Sequence, residues 1–135
     1  MRVVLDTNVF VSGAFFSGPA FRILNAWRRG SVRLVISPAI LDEYRRVGLE
    51  LAEKFRGTDL GPLLELLEME AEIVDAGDLP QQVCTDPDDD KFLACALAAK
   101  VQCICTGDKA LLKTSGYCGI AVISPREFIE KHLNC

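Results

Sequence analysis

Residues 85–99 read TDPDDDKFLACALAA, so that four aspartates stand directly before a strongly apolar run. Pro87 disfavours helical backbone at the residue before it, and we therefore expect a helix to begin after Pro87. Phe92, Leu93 and Leu97, together with the alanines between them, give this helix a wide apolar face that suits burial against a sheet. The acidic cluster then lies at the N-terminal end of the helix, near the edge of the core.

The acidic cluster carries more charge than a helix end needs. One aspartate can cap the helix and a second suits the helix dipole, whereas further like charges repel one another. A calcium loop of the EF-hand type beginning at Asp86 is excluded, because it would need glycine where Lys91 stands and glutamate where Leu97 stands. Two interpretations remain, a capped helix end and an acidic site, and both involve the same residues: Asp86, Asp88, Asp89 and Asp90.

Length and composition restrict the class of protein. The chain has 135 residues, of which 50% are hydrophobic, so we expect a single domain over residues 1–135 with one sizeable core. No apolar run approaches the ~20 residues of a membrane-spanning helix, and the chain start resembles no signal peptide, so we expect a cytoplasmic protein with no membrane partner. The formal net charge of −4 argues against a protein that coats nucleic acid by bulk charge. It does not exclude a nuclease, because an acidic metal site adds negative charge.

The cysteine pattern favours free thiols. It contains no C-x-x-C pair, and the single histidine, His132, lies near the C-terminus, which argues against zinc. Cys95 falls in the apolar helix, while Cys103 and Cys105 fall in a predicted buried strand, where cysteine acts as a small hydrophobic residue. We therefore predict that all six cysteines are reduced and structural: Cys84, Cys95, Cys103, Cys105, Cys118 and Cys135.

Short apolar strands alternate with helices along the chain. Strands are predicted over residues 2–5, 32–36, 71–74, 101–106 and 121–123. Helices are predicted over residues 19–29, 38–56, 60–70, from after Pro87 to 99, 110–113 and 125–133. Residues 9–18 form a mixed segment of apolar and small residues with no assigned element. This alternation predicts an α/β fold, a three-layer α/β/α sandwich around a central, mainly parallel sheet of roughly five strands.

Acidic residues that are far apart in the sequence are predicted to meet at one edge of this sheet. Asp6 follows the first strand and Asp108 follows the fourth, so both lie at the carboxyl edge, where open α/β sheets bind ligands. Asp90 begins the apolar helix, and Glu43 lies on the helix that follows the second strand. A hard divalent cation such as Mg²⁺ would neutralise such a cluster through oxygen ligands. Taken singly, each acid has an ordinary explanation, such as a turn, a cap or an exposed helix position.

Four motifs of this chain resemble those of a known family. They are LDTNV at residues 5–9, Ser37-Pro38 followed by Glu43, DDDKFL at residues 88–93, and TGDK at residues 106–109. In this order they resemble the PIN domain, and more narrowly the PIN-family toxins of bacterial and archaeal toxin–antitoxin systems, relatives of VapC. The resemblance covers nearly the whole chain.

The resemblance implies a Mg²⁺- or Mn²⁺-dependent endoribonuclease that cleaves single-stranded RNA. It also implies a small antitoxin protein as partner and a homodimer or higher oligomer. Asp90 is chosen over Asp88 and Asp89 because the family's acid immediately precedes the apolar helix pattern, although Asp89 could share the role. Carried over by position, the implied residues are catalytic Asp6, Glu43, Asp90 and Asp108, of which Asp6, Asp90 and Asp108 bind the metal, with Asn8, Thr106 and Asp89 in support.

Other functions remain open at this point. A phosphatase of the haloacid-dehalogenase type also begins with an aspartate after its first strand, but it needs a second one where Asn8 stands. A PIN-type RNA-processing nuclease without an antitoxin, and a PIN scaffold that binds RNA or protein without cutting, share the same motifs. One histidine near the C-terminus leaves no evident Ser-His or Cys-His dyad, and the chain contains neither a P-loop nor a G-x-G-x-x-G motif.

Overall fold

A computed structural model describes residues 1–133 of the chain. Five strands form one sheet: β1 (Arg2–Leu5), β2 (Arg33–Ile36), β3 (Glu72–Ile73), β4 (Cys103–Cys105) and β5 (Ala121–Ile123). The helices are α1 (Thr7–Phe15), α2 (Pro19–Arg28), α3 (Pro38–Lys54), α4 (Gly61–Glu70), α5 (Asp90–Ala99), α6 (Lys109–Leu112) and α7 (Pro125–Phe128). Single 3₁₀ turns lie at Pro87–Asp89 and Tyr117–Gly119, and a π turn at Ile129–Leu133 extends α7.

All strand pairs in the sheet are parallel, and the strand order is β3-β2-β1-β4-β5. The chain moves in one direction from β1 to β3 and in the other from β4 to β5. Right-handed crossovers therefore place helices on opposite faces of the sheet, which confirms the predicted α/β/α sandwich. The order reverses between β1 and β4, so the carboxyl ends of these two strands form the crevice where such folds bind ligands.

Short polar residues end the strands and begin the helices that follow. Asp6 is the N-cap of α1 and Asp108 is the N-cap of α6, and each side chain accepts a hydrogen bond from a backbone N–H in the first turn. Ser37 and Ser124 cap α3 and α7 in the same way, each followed by proline at the tolerated first helical position. These joints place polar side chains at the carboxyl edge of the sheet.

The segment without an assigned element is partly helical, because α1 begins directly after Asp6 and ends at Phe15. Its inner face, with Val9, Phe10 and Val11 buried, packs against α2 and α3. Gly13 permits close packing with α2, since a Cβ atom there would lie 2.7 Å from the carbonyl oxygen of Ala20.

The buried core joins the sheet to its helices and fixes α3 against β1. Phe10 of α1 and Tyr44 of α3 stack with ring centroids 4.2 Å apart. The hydroxyl of Tyr44 donates a hydrogen bond to the carbonyl of Leu5 at the end of β1. Glu43, the residue before Tyr44, is thereby held near the carboxyl edge of the sheet.

The other elements agree with prediction apart from their ends. The third and fourth strands, predicted over 71–74 and 101–106, are shorter in the structure, at Glu72–Ile73 and Cys103–Cys105. No helix within residues 1–133 has the length and apolar character needed to cross a membrane.

The cysteines within the described residues are free thiols. Cys84, Cys95, Cys103 and Cys105 are buried, and Cys118 is exposed. The sixth, Cys135, lies outside the described residues.

Candidate active site

A small cleft of ≈ 230 Å³ opens at the carboxyl edge of the sheet, between the ends of β1 and β4 and the start of α5. Carboxylates dominate its lining. The lining residues are Asp6, Thr7, Asn8, Glu43, Val47, Asp86, Asp88, Asp89, Phe92 and Asp108.

Asp6 lies at the base of the cleft and is only 4% exposed. Its backbone N–H continues the ladder between β1 and β4 by donating to the carbonyl of Cys105 at 3.0 Å. One carboxylate oxygen, Oδ1, accepts from the N–H of Val9 at 2.8 Å, and the other, Oδ2, accepts from the hydroxyl of Thr106. The cap of α1 therefore fixes the Asp6 carboxylate in one orientation.

Thr106 connects Asp6 to Asp108. Its side chain is fully buried, and its hydroxyl oxygen accepts a hydrogen bond from the backbone N–H of Asp108 at 3.0 Å while its O–H donates to Asp6. Asp108 is half-buried, and its Oδ1 accepts from the N–H of Ala110 at 3.0 Å. The supporting role that the resemblance implies for Thr106 stays a prediction, and these contacts are what it would act through.

Glu43 reaches the cleft from α3, and its carboxylate is engaged on both sides. The hydroxyl of Thr7 donates to Oε2, and the ammonium of Lys91 donates to Oε1 at 2.8 Å. Lys91 also lies 3.2 Å from the Oδ1 atom of Asp88, so one cation bridges two carboxylates. Neither Thr7 nor Lys91 was among the predicted site residues; the signal for Lys91 is its place directly after the aspartate run.

Asp90 does not line this cleft. Its carboxylate accepts hydrogen bonds from the N–H groups of Val83, at 3.2 Å, and Cys84, at 2.7 Å, and it borders a neighbouring cavity instead. Asp89 lines the acidic cleft in its place. The physical reason is the 3₁₀ turn at Pro87–Asp89, which precedes α5 and directs consecutive aspartates to different surroundings.

The pKa values of two cleft acids are raised by burial and crowding. Burial raises the pKa of Asp6 to about 6, and the charges of Asp108 and Glu43 add to the rise against the opposing hydrogen bonds from Thr106 and Val9. Burial likewise raises the pKa of Asp89 to about 6, with further contributions from four acids: Asp86, Asp108, Asp6 and Glu43. The negative charges of Asp108 and Glu43 therefore raise the pKa values of both Asp6 and Asp89.

The charged forms of Asp90 and Lys91 are stabilised by their surroundings, in contrast to those of Asp6 and Asp89. Burial alone would raise the pKa of Asp90, but hydrogen bonds from Cys84 and Val83 outweigh it and hold the pKa below its usual value. Burial alone would lower the pKa of Lys91, but its bonds to Glu43 and Asp88 outweigh that and raise it. Asp90 thus experiences backbone donors rather than the charges of the cleft.

The donor set of the cleft suits a hard divalent cation. Its acids offer only oxygen ligands, and their crowding leaves negative charge that a cation would neutralise. Within residues 1–133, no three His, Cys, Asp or Glu side chains are already arranged as a metal site. The acids of the cleft therefore suit a divalent cation in their chemistry and their location. Binding would require their carboxylates to move closer together.

Comparison with known proteins places this site in context. No curated protein matches the chain. A family model described as PIN domain matches residues 2–110, which include every acid of the cleft and the strands that carry them. The match spans most of the chain, and the parallel five-stranded sheet agrees with it. The chain belongs to the PIN domain family, whose members are generally nucleases and usually use divalent metals.

Proposed function

We propose that this protein is a metal-dependent endoribonuclease that cleaves single-stranded RNA. The observation that carries the proposal is the convergence of Asp6, Asp89 and Asp108 on one cleft at the switch point of the sheet. The raised pKa values of Asp6 and Asp89 support it, because burial and the neighbouring acids disfavour two anions that a bound cation would stabilise.

In this proposal Asp6, Asp89 and Asp108 hold Mg²⁺ or Mn²⁺, and Asp89 replaces Asp90 as the ligand at the start of α5. A bound divalent cation supplies a water nucleophile and neutralises charge on the leaving oxygen of the phosphodiester. Thr106 keeps the Asp6 carboxylate oriented toward the cleft through its hydrogen bond. Asn8, exposed at the mouth, is available to contact the RNA backbone.

The shape of the cleft favours an extended strand over a duplex. Its volume of ≈ 230 Å³ equals that of roughly eight water molecules, which is too small for a base pair, and Asp6 lies buried at its base. An extended single strand can present one phosphate to such a site without opening a helix. The resemblance to PIN-family ribonucleases supports RNA rather than DNA as the substrate.

Cleavage of an unstructured RNA by the purified protein tests this function. We expect cleavage with Mn²⁺ and none with excess EDTA, while a hairpin stem of the same sequence is cut more slowly. Cleavage that persists in EDTA would refute the metal mechanism. Mn²⁺ binding without cleavage of any RNA would favour the scaffold that binds without cutting.

We further propose that the nuclease is the toxin of a toxin–antitoxin pair. The specific observation in favour is the cluster of carboxylates in an open cleft, because a planar arginine fork from an inserted segment could pair with two carboxylate oxygens there. Co-expression with the product of a small adjacent gene tests this. A stable complex that no longer cuts RNA supports the toxin role, whereas a nuclease without such a partner is an RNA-processing enzyme. The expected homodimer stays a prediction, tested by light scattering.

A haloacid-dehalogenase-type phosphatase is disfavoured by the same geometry. Its second aspartate would stand where Asn8 stands, and Asn8 cannot serve as a carboxylate acid or base. Release of phosphate from a generic phosphomonoester, lost in Asp6→Asn, would be the result that favours it.

A further inference from the structure

Lys91, the second residue of α5, borders the cavity beside the acidic cleft and pairs with two acids that line the cleft itself. Its ammonium lies 2.8 Å from Oε1 of Glu43 and 3.2 Å from Oδ1 of Asp88. The Lys91 and Glu43 side chains are only 19% and 12% exposed. An ion pair shielded from water in this way is far less screened than a pair on the surface.

The pairing gives the Glu43 carboxylate a counter-charge as well as a hydroxyl donor. Lys91 occupies one carboxylate oxygen and the hydroxyl of Thr7 occupies the other. Arg46 stands 3.7 Å from the same oxygen as Lys91, although its side chain is 61% exposed. Within residues 1–133, no ion pair joins a lysine or arginine to Asp6, Asp89 or Asp108, which distinguishes these acids from Glu43.

We propose that Lys91 is a positioning residue that keeps Glu43 out of the metal's coordination shell and confines the metal to Asp6, Asp89 and Asp108. The inference rests on the metal site of the proposed function and assigns a separate role to Glu43. In the metal-free protein the same ammonium offsets part of the repulsion among the cleft acids. When metal binds, its positive charge opposes the cation and limits the affinity.

The packing of α3 against α5 makes this role possible. Glu43 lies on α3 next to Tyr44, whose hydroxyl is fixed to β1, and Lys91 lies on α5, which packs on the same strand. The bridge therefore connects two helices whose positions the core has already set. A solvent-exposed pair would lack these restraints and would have a much smaller effect on metal binding.

Calorimetric titration of the full chain with Mn²⁺, in the absence of RNA, tests the inference. Lys91→Gln removes the opposing charge and releases Glu43, so we expect Mn²⁺ to bind about tenfold more tightly than to wild type, within the usual range of coupling between sites. Lys91→Arg keeps the charge and should bind Mn²⁺ like wild type. Lys109→Gln is the matched control, since it removes one exposed positive charge beside Asp108 without touching Glu43, and it should change affinity much less.

Glu43→Gln provides a second test, and its comparison with Asp89→Asn does not depend on the folding of Lys91→Gln. It should cost far less Mn²⁺ affinity than Asp89→Asn, and adding Lys91→Gln to it should produce a smaller gain than Lys91→Gln produces alone.

The outcomes separate this inference from the proposed function. If the wild type binds Mn²⁺ and Lys91→Gln binds it with the same affinity, the inference alone is overturned. The inference alone is also overturned if Glu43→Gln loses as much Mn²⁺ affinity as Asp89→Asn. Wild type that binds no Mn²⁺ overturns both. If Lys91→Gln binds Mn²⁺ more tightly than the wild type, and if adding Glu43→Gln makes this gain smaller, both the inference and the proposed metal site are supported.

Discussion

Asp89 and Asp90 are adjacent in the chain but have different surroundings. Asp89 faces the charges of the cleft, and burial raises its pKa to about 6. Asp90 is bound by the backbone N–H groups of Val83 and Cys84, and these donors lower its pKa. The surroundings therefore disfavour the anionic form of Asp89 and stabilise the anionic form of Asp90.

Exchanging each of these two acids for asparagine separates their roles. Asp89→Asn should lower Mn²⁺-dependent RNA cleavage by about 100-fold or more, the cost typical of removing a group that stabilises transition-state charge, and should leave folding intact. Asp90→Asn should lower the free energy of unfolding by about 1–2 kcal/mol, since a carboxylate bound to two backbone donors is lost, and should retain most cleavage. Urea denaturation and a gel cleavage assay measure both effects. If the Asp90→Asn variant is folded but inactive while the Asp89→Asn variant is active, the metal ligand is Asp90, as predicted from the sequence.

Asp6 should make the metal-free protein less stable as the pH rises. Its pKa is about 6 when folded and 3.8 ordinarily, so the folded state holds more protons between these values and the free energy of unfolding falls across that window. In EDTA near pH 7.5, Asp6→Asn should raise that free energy by up to roughly 3 kcal/mol, since a shift of about two units corresponds to that much. Near pH 4 the gain should vanish. Thermal denaturation at the two pH values measures it, and an equal effect at both would contradict the raised pKa.

The sequence could predict which strand ends carry acids but not how four consecutive acids are oriented. Asp6 and Asp108 follow strands, and this placement fixes them at the carboxyl edge of the sheet. The orientation of Asp88 to Asp90 depends on the 3₁₀ turn and on backbone donors from residues 83 and 84, which are supplied by a loop whose path has no local signature.

At the scale of elements, the packing of α1 on α2 supports the side of the cleft that carries Asp6. The N-terminus of α1 carries Asp6 as its cap, and the helix packs against α2 through Gly13. Sequence reasoning missed α1 because Val9, Phe10 and Val11 are weak helix formers and the segment is apolar on most sides, which removes the helical periodicity. Burial between two neighbouring helices and the sheet outweighs this weak propensity.

Gly13→Ala should destabilise the protein through this contact. The new Cβ would lie 2.7 Å from the carbonyl oxygen of Ala20 and 2.8 Å from Cδ1 of Leu24, so the two helices must separate. We expect the free energy of unfolding to fall by about 1–3 kcal/mol, the usual cost of overpacking. Gly77→Ala is the control, because nothing lies within 4 Å of its Cβ position, and it should change that free energy by less than about 0.5 kcal/mol. Equal urea midpoints for the two variants would contradict the close packing.

At the scale of the whole molecule, the alternation of strands and helices was enough to predict the sandwich. Short apolar strands that alternate with helices favour a parallel sheet with helices on both faces. The strand order, with β1 between β2 and β4, has no counterpart in local sequence because it depends on the direction of each crossover. The strand order was therefore not predicted, and it is known only from the structure.

The thiols offer a test of the fold as a whole. Cys95 lies in α5, and Cys103 and Cys105 lie in β4, so these buried groups span the centre of the molecule. Burial raises the pKa of Cys95 to about 12 and that of Cys103 to about 11, and it raises the pKa of Cys105 further still, so almost no reactive thiolate is present at neutral pH. Cys118 is exposed and should react with an alkylating reagent within minutes. Cys95, Cys103 and Cys105 should react only after the molecule unfolds.

Mass spectrometry after timed alkylation measures these rates residue by residue. The reaction rates of Cys95, Cys103 and Cys105 should rise together with urea and follow the global unfolding transition, because no local opening exposes β4 without breaking its pairing with β1 and β5. Cys84, buried in the loop before α5, should react at lower urea than these three if its loop opens separately, and opening of that loop would also release Asp90. All six cysteines should be alkylated in full denaturant. A disulfide in freshly purified protein, or rapid alkylation of Cys105 in the native state, would contradict the burial of the central strand.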